Sequence, residues 1–320
     1  MWPDYDHPGG HRWRACAGER ARGRPRGSWR ARFPDNDAVR VINGLDHIVM
    51  LVEDIKASAR AYELLLGSAP SWRSQGDGSE NVLFTLDNMS LELMAPVGNS
   101  PAANRIRNVI EIWGEGLASI CFRVGDIERT FRRLDRVAMK PEPVAAVESR
   151  DLDSARTLHW KRTRAATELA RGVRMFFLEL AEERPRSAAT SAAPILALDH
   201  VVVSTEDPER AAALYGARLG LEMALDRSHQ DLGQLMFFRC GDLIVEIVRR
   251  PVAGADQTHD KLWGLSWRVG DIEATRARLV AAGVDVSEVR AGRKPGTRVM
   301  SVRNGTCGVH TLLLERTAKA

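Results

Sequence analysis

The chain says one phrase twice. Leu45-Asp46-His47 opens an apolar run through Val52, and Leu198-Asp199-His200 opens another through Val203. Glu53-Asp54, Tyr62 and Leu66-Gly67 recur as Glu206-Asp207, Tyr215 and Leu219-Gly220, at one constant offset. A fixed offset over more than twenty positions marks an internal duplication, so the chain must build the same structural unit twice. A second phrase, Phe122-Arg123-Val124-Gly125-Asp126-Ile127-Glu128, returns as Trp267-Arg268-Val269-Gly270-Asp271-Ile272-Glu273. Its Val-x-Asp-Ile core also echoes Val52-Glu53-Asp54-Ile55, which gives four related modules in the order A, B, A′, B′.

Each module starts with an apolar run of strand length. Asp54, Asp126, Asp207 and Asp271 then stand where a carboxylate can take up the free N–H groups of a helix start. Apolar residues follow at helical spacing (Ile55, Ala59, Tyr62, Leu66; then Ile127, Phe131, Leu134), and Gly67 and Gly220 suit a left-handed stop. Further strands are expected at 82–86 and 90–94, and at 235–239 and 243–248. A strand, a helix and about three strands give a sheet with one open face, which a single module cannot cover, so modules must pair. The fold class is α+β.

These β-α-β-β-β modules, with the Leu-Asp-His opening and a Glu in the last strand, resemble the vicinal oxygen chelate (VOC) superfamily. That group includes glyoxalase I, extradiol dioxygenases and the bleomycin resistance proteins. The resemblance implies four modules pairing into two open-barrel lobes, at 41–182 and 195–318. It is specific for the fold and leaves the reaction open, because one scaffold hosts lyases, isomerases, dioxygenases and metal-free binders.

Within that resemblance, ligands for a divalent metal come from the first and last strands of the modules. In the first lobe these positions hold His47, Glu92 and Glu179, with Ser119 at the fourth; in the second they hold His200, Glu246 and Glu315, with Gly264 at the fourth. The first lobe is slightly favoured, since Ser119 retains a hydroxyl. Glu92 and Glu179 are lone charges between leucines, and a charge aimed into a sheet cavity is costly unless paired, protonated or metal-bound. A mixed nitrogen and oxygen set suits Zn, Ni, Fe, Mn or Co alike. With such an ion, Glu179 or Glu92 would move a proton beside an enediolate, in a lyase or isomerase. A metal-free binding protein and an extradiol-type dioxygenase are the rivals. Lys161 and Arg162, and Lys294 and Arg298, are candidates to receive an anionic group of a small-molecule substrate.

Charge and cysteines bound the rest. The net charge of +4 is carried by residues 1–40, where nine arginines face five acids, so the folded body is neutral and is not expected to bind nucleic acid. This Gly-, Pro- and Arg-rich stretch is expected to be a disordered tail, or to precede the real start of translation near Val39 or Val41. Residues 183–194, small, polar and broken by prolines, read as an exposed linker. Four scattered cysteines without a C-x-x-C pair fit a reduced, cytoplasmic protein, with Cys121 and Cys240 as buried thiols. No apolar run is long enough to span a membrane. Whether the chain is a monomer or a homodimer stays open.

Overall fold

A computed structural model describes residues 41–76, 78–229, 233–250 and 259–317; the expected tail at 1–40 lies outside them. Module A comprises β1 (Ile42–Leu51), α1 (Ile55–Leu66), β2 (Trp72–Gly76), β3 (Ser79–Thr85) and β4 (Ser90–Pro96). After α2 (Pro101–Trp113), module B runs through β5 (Gly116–Val124), α3 (Ile127–Arg136), β6 (Ala145–Arg150), β7 (Thr157–Arg164) and β8 (Arg174–Leu180). The second lobe begins with β9 (Ile195–Thr205), α4 (Pro208–Ala212), β10 (Glu222–His229), β11 (Gly233–Cys240) and β12 (Leu243–Arg249). It closes with β13 (Lys261–Val269), α5 (Ile272–Ala281), β14 (Arg290–Ala291), β15 (Thr297–Val302) and β16 (His310–Arg316).

Among the described residues the strands form two eight-stranded mixed sheets, ordered β2-β3-β4-β1-β5-β8-β7-β6 and β10-β11-β12-β9-β13-β16-β15-β14. Modules A and B thus share one sheet and A′ and B′ the other, joined by the antiparallel pairs β1–β5 and β9–β13. All four expected aspartates cap their helices: Asp54 accepts from Lys56 and Ala57, Asp126 from Arg129, Asp207 from Arg210 and Asp271 from Ala274. Gly67 ends α1 at φ +66°, where an added Cβ would lie 2.3 Å from Ser191 Oγ. The helix after Asp207 departs from regularity. Five α-helical residues give way to a π-helical turn over Ala213–Arg218, which swings Tyr215 into the core.

The helix-side faces of both sheets merge into one apolar core, in which Tyr62, Phe122 and Phe177 join Tyr215, Phe238 and Trp267. Arginines fasten the lobes at helix C-termini, where carbonyls lack intrahelical partners. Arg278 of α5 donates to the carbonyls of Leu64, Leu65 and Ala193, while Arg218 donates to those of Val137, Ala138 and Leu169. The 183–194 segment contains no buried residue and runs along the first lobe. Ser187 N bonds Thr85 O, Ala69 N bonds Ala188 O and Thr190 N bonds Gly67 O, because its backbone groups find partners along the edge of the first lobe. No helix is long and apolar enough to cross a membrane among the described residues.

Replacing Arg278 by Ala is expected to cost about 1–3 kcal/mol, because three carbonyls lose their donors. Chemical denaturation of the full chain measures this, and an unchanged midpoint would show that the arginine does not fasten the lobes.

Candidate functional site

Strand alternation fixes which side chains meet. On β1, Ile48 and Met50 point into the helix-side core, whereas Val49 and Leu51 lie on the concave face with Cys121 and Leu178. His47 shares that concave face, as does Glu92 of β4, and His47 Nε2 lies 3.1 Å from Glu92 Oε2. The other ring nitrogen, Nδ1, is 2.6 Å from Asp46, which fixes the ring's orientation. Asp46 is fully buried and also receives Arg184 at 2.9 Å and Arg123 at 3.4 Å. Asn81 Nδ2 donates to Glu92 at 2.7 Å.

The second lobe repeats the chain. His200 Nε2 lies 3.2 Å from Glu246, Nδ1 lies 3.1 Å from Asp199, and Arg316 bonds Asp199. Sequence reasoning missed Asp46 and Asp199, although their place beside the histidines was the available signal.

The structure does not bring Glu179 to His47, nor Glu315 to His200. In each lobe the first His and Glu meet and the third expected donor lies elsewhere. Glu179 shares a strand face with the core residues Met175 and Phe177, and its carboxylate accepts from Ile127 N at 2.7 Å, at the start of α3. Glu315 bonds Arg298 at 3.4 Å. On the concave face, the position of β8 level with Cys121 is Phe176, three residues before Glu179, and its counterpart on β16 is Leu312. An odd step along a strand reverses the face, so matching by residue type selected a glutamate that points the other way.

The fourth positions also resolve. His47 faces Cys121 across the β1–β5 pair and His200 faces Ser266 across β9–β13, whereas Ser119 and Gly264 sit one step on, opposite Val49 and Val202. Gly264 has room for no side chain, since a Cβ there would lie 2.9 Å from the carbonyl oxygen of His310. Each lobe therefore presents two of its three expected donors together. Among the described residues no group of three His, Cys, Asp or Glu is placed to hold a metal, so the arranged side chains do not fit a three-ligand divalent centre.

The anion-binding candidates divide. Lys161 and Glu179 are register partners and line an outward concavity of about 400 Å³ with His159 and Glu148. This is the larger hollow, but it lies on the face away from His47. Arg162 turns to the concave face, over the Phe176 ring. Arg298 is paired with Glu273 and Glu315, and the Lys294 carbonyl accepts from Thr297.

The two lobes differ in accessibility and charge. Over the first, Ile106, Val109 and Ile110 of α2 pack on Val49, Leu51, Cys121 and Leu178 and roof the concave face. That helix was not foreseen from the sequence. In the second lobe His200, Glu246, Ser266, Trp263 and His310 line a cavity of about 60 Å³, room for about two waters or one small functional group. Trp263 stacks on His310 at 4.2 Å, and Arg250 lies over Trp263 at 4.4 Å. The Ser266 hydroxyl is buried and, among the described residues, has no hydrogen-bond partner.

Burial opposes the charge on Glu92, but His47, Arg184 and Asn81 outweigh it and hold the carboxyl below its usual range. For Glu246 burial wins over the pull of His200 and Arg293, and the carboxyl is pushed up. Leu235 stands at the place corresponding to Asn81, so Glu246 lacks the amide donor that Glu92 has. Both imidazoles are raised: burial disfavours their charge, but Cys121, Asp46 and Glu92 offset this for His47, and Asp199 and Glu246 for His200.

Comparison with known proteins agrees with this architecture. The family described as "Glyoxalase-like domain" matches residues 45–197, and "Glyoxalase/Bleomycin resistance protein/Dioxygenase superfamily" matches residues 199–300. The chain belongs to the vicinal oxygen chelate superfamily, as a member with four modules in two lobes. No curated protein matches it. Among solved structures, a variant of 4-hydroxymandelate synthase from Streptomyces coelicolor is 15% identical with a TM-score of 0.63, over 88% of this chain and 94% of that one. A catechol 2,3-dioxygenase is 14% identical with a TM-score of 0.56, over 88% and 90%. A Mn(II)-bound glyoxalase from Novosphingobium aromaticivorans is 11% identical with a TM-score of 0.58, over 86% and 82%. At such identities the likeness is one of fold, and it extends to dioxygenases and a glyoxalase alike.

Replacing Asp46 by Asn should destabilise the chain by about 3–5 kcal/mol, because Arg184 and His47 would be left buried without their shared counter-charge. His47 adds a pH signature. A raised folded pKa contributes stability that is complete below 6.5 and lost as pH rises through the folded value. Unfolding free energy should therefore fall across that alkaline window in the wild type and fall less in His47→Gln. Parallel slopes for the two proteins would contradict the assignment.

Proposed function

We propose that the second lobe carries the working site. It binds a small oxygenated metabolite and moves a proton at the carbon beside a carbonyl, in a lyase- or isomerase-type reaction through an enediolate. The observation that carries this reading is the contrast between the lobes. The His47–Glu92 pair is bonded on every side and roofed by α2. The His200–Glu246 pair opens on a cavity with an unbonded Ser266 hydroxyl and a carboxyl raised toward neutrality.

The chemistry follows from those groups. Ionised Glu246 takes the proton from the carbon, and the C–H electron pair moves into a carbon–carbon double bond as the carbonyl pair moves onto oxygen. The resulting oxyanion accepts a hydrogen bond from Ser266 Oγ, while the imidazolium of His200, held by Asp199, keeps Glu246 in place. Glu246 then returns the proton to the neighbouring carbon while the hydroxyl proton on the first carbon passes to the oxyanion, which leaves a carbonyl at the first carbon and completes an isomerisation. A carboxyl with an elevated pKa serves this exchange better than an ordinary glutamate, because its affinity for the proton lies nearer the working pH. No step passes through a metal, since the donor set does not fit one.

In deuterium oxide, the full-length protein should exchange the hydrogens beside the carbonyl of hydroxyacetone or pyruvate, followed by proton NMR. Glu246→Gln should slow that exchange by about 10²–10⁴-fold and Ser266→Ala by about 10-fold or more. Binding of these probes with no exchange would leave a ligand-binding protein in place of an enzyme.

Protein purified without an affinity tag is expected to contain no stoichiometric divalent metal. A stoichiometric ion lost in both His200→Ala and Glu246→Ala would return the reaction to a metal-assisted form.

A further inference from the structure

One cluster in the first lobe takes no part in that chemistry. Arg162 and Arg164 of β7 and Arg174 of β8 gather around the ring of Phe176, with guanidinium carbons 5.6, 5.9 and 5.9 Å from its centroid. All three lie on the concave face. Their charges can be no more than about 12 Å apart, close to the screening length of about 8–10 Å in physiological salt, so they repel one another. Arg105 of α2 adds to the positive field on Arg174. Against this charge stands Glu142, 2.5 Å from Arg164; among the described residues it is the carboxylate that pairs with any of the three. Arg164 Nε is buried without an acceptor. Burial and the neighbouring cations also lower the pKa of Arg174, so the folded chain holds it charged at a cost.

We propose that Arg162, Arg164 and Arg174, grouped around Phe176, bind the phosphate group of a small phosphorylated metabolite. The guanidinium fork matches an oxyanion edge with two parallel hydrogen bonds, and strands β7 and β8 place three such forks around one ring. A phosphate monoester carries close to two negative charges at neutral pH, which answers the excess left after Glu142; a single carboxylate would not. The Phe176 ring gives the organic part an apolar floor. A nucleic acid is a poorer match, because the body outside the 1–40 segment has no net charge with which to hold an extended polyanion.

The register sets the distance to the other polar groups of this face. His47, Cys121, Phe176 and Arg164 are successive partners across β1, β5, β8 and β7. Three strand spacings separate the first from the last, roughly 14 Å. The phosphate site therefore stands apart from the His47–Glu92 pair, with Cys121 buried under α2 between them. This site lies in the other lobe from the proton-transfer pair, so it stands or falls separately from that reading.

Calorimetric titration of the full-length protein with inorganic phosphate and with glycerol phosphate tests it. Saturable binding of both is expected, weakening as salt rises and at least 10-fold weaker in Arg162→Gln and in Arg174→Gln. Without phosphate, Arg162→Gln should melt at or above the wild-type temperature, because one of the repelling charges is gone. Absence of saturable binding, or wild-type affinity in both variants, would overturn the assignment. So would a lower melting temperature of Arg162→Gln with phosphate affinity intact, since the arginine would then be structural. A short oligonucleotide that binds more tightly than glycerol phosphate and competes with it would overturn the choice of a small metabolite.

Discussion

The antiparallel pairing of β1 with β5, repeated as β9 with β13, is the constraint on which the rest depends. Each module contributes four strands with its first strand at one edge, and an open edge is a row of unpaired N–H and C=O groups. Joining two modules through their first strands pairs those two edges and makes one wide sheet. The same pairing sets His47 across from Cys121 and His200 across from Ser266. It also settles which face of each later strand looks inward. Fold and site thus share one origin.

A buried ionic chain occupies the concave face in both lobes, but in different states. Taking charges out of water costs more than a bare ion pair returns, unless every remaining hydrogen-bonding position is filled. In the first lobe Asn81, Arg184 and Arg123 fill them and α2 closes the face, which makes the Asp46–His47–Glu92 chain part of the fold. In the second lobe Leu235 replaces the amide, and among the described residues Ser266 Oγ has no partner. After duplication, a handful of side chains around identical histidines gives the two chains different surroundings.

The sequence made several elements legible because their signals are local. A capping aspartate acts within one helical turn, and all four read as caps do cap. The repeat, the strand starts and the Gly67 stop needed no knowledge of distant residues. The pairs His47–Glu92 and His200–Glu246 were also within reach, since each member lies in a strand of the same module. The failures lie where parity or distance decides. Glu179 and Glu315 look like the missing carboxylates by type, yet Phe176 and Leu312 occupy the facing positions. The roof formed by α2 and the link from Arg184 to Asp46 depend on chain segments that meet after folding.

The sequence by itself therefore determined the module, its fourfold repetition, the superfamily and the His and Glu that meet in each lobe. These rest on periodicity and local capping, which the order of residues encodes directly. Tertiary structure alone decided which sheet face each later residue occupies, that α2 roofs the first lobe, and which arginines gather around Phe176. A strand reverses its faces with every single-residue step, and a charge acquires its meaning from neighbours tens of residues away. Both are properties of the assembled sheet.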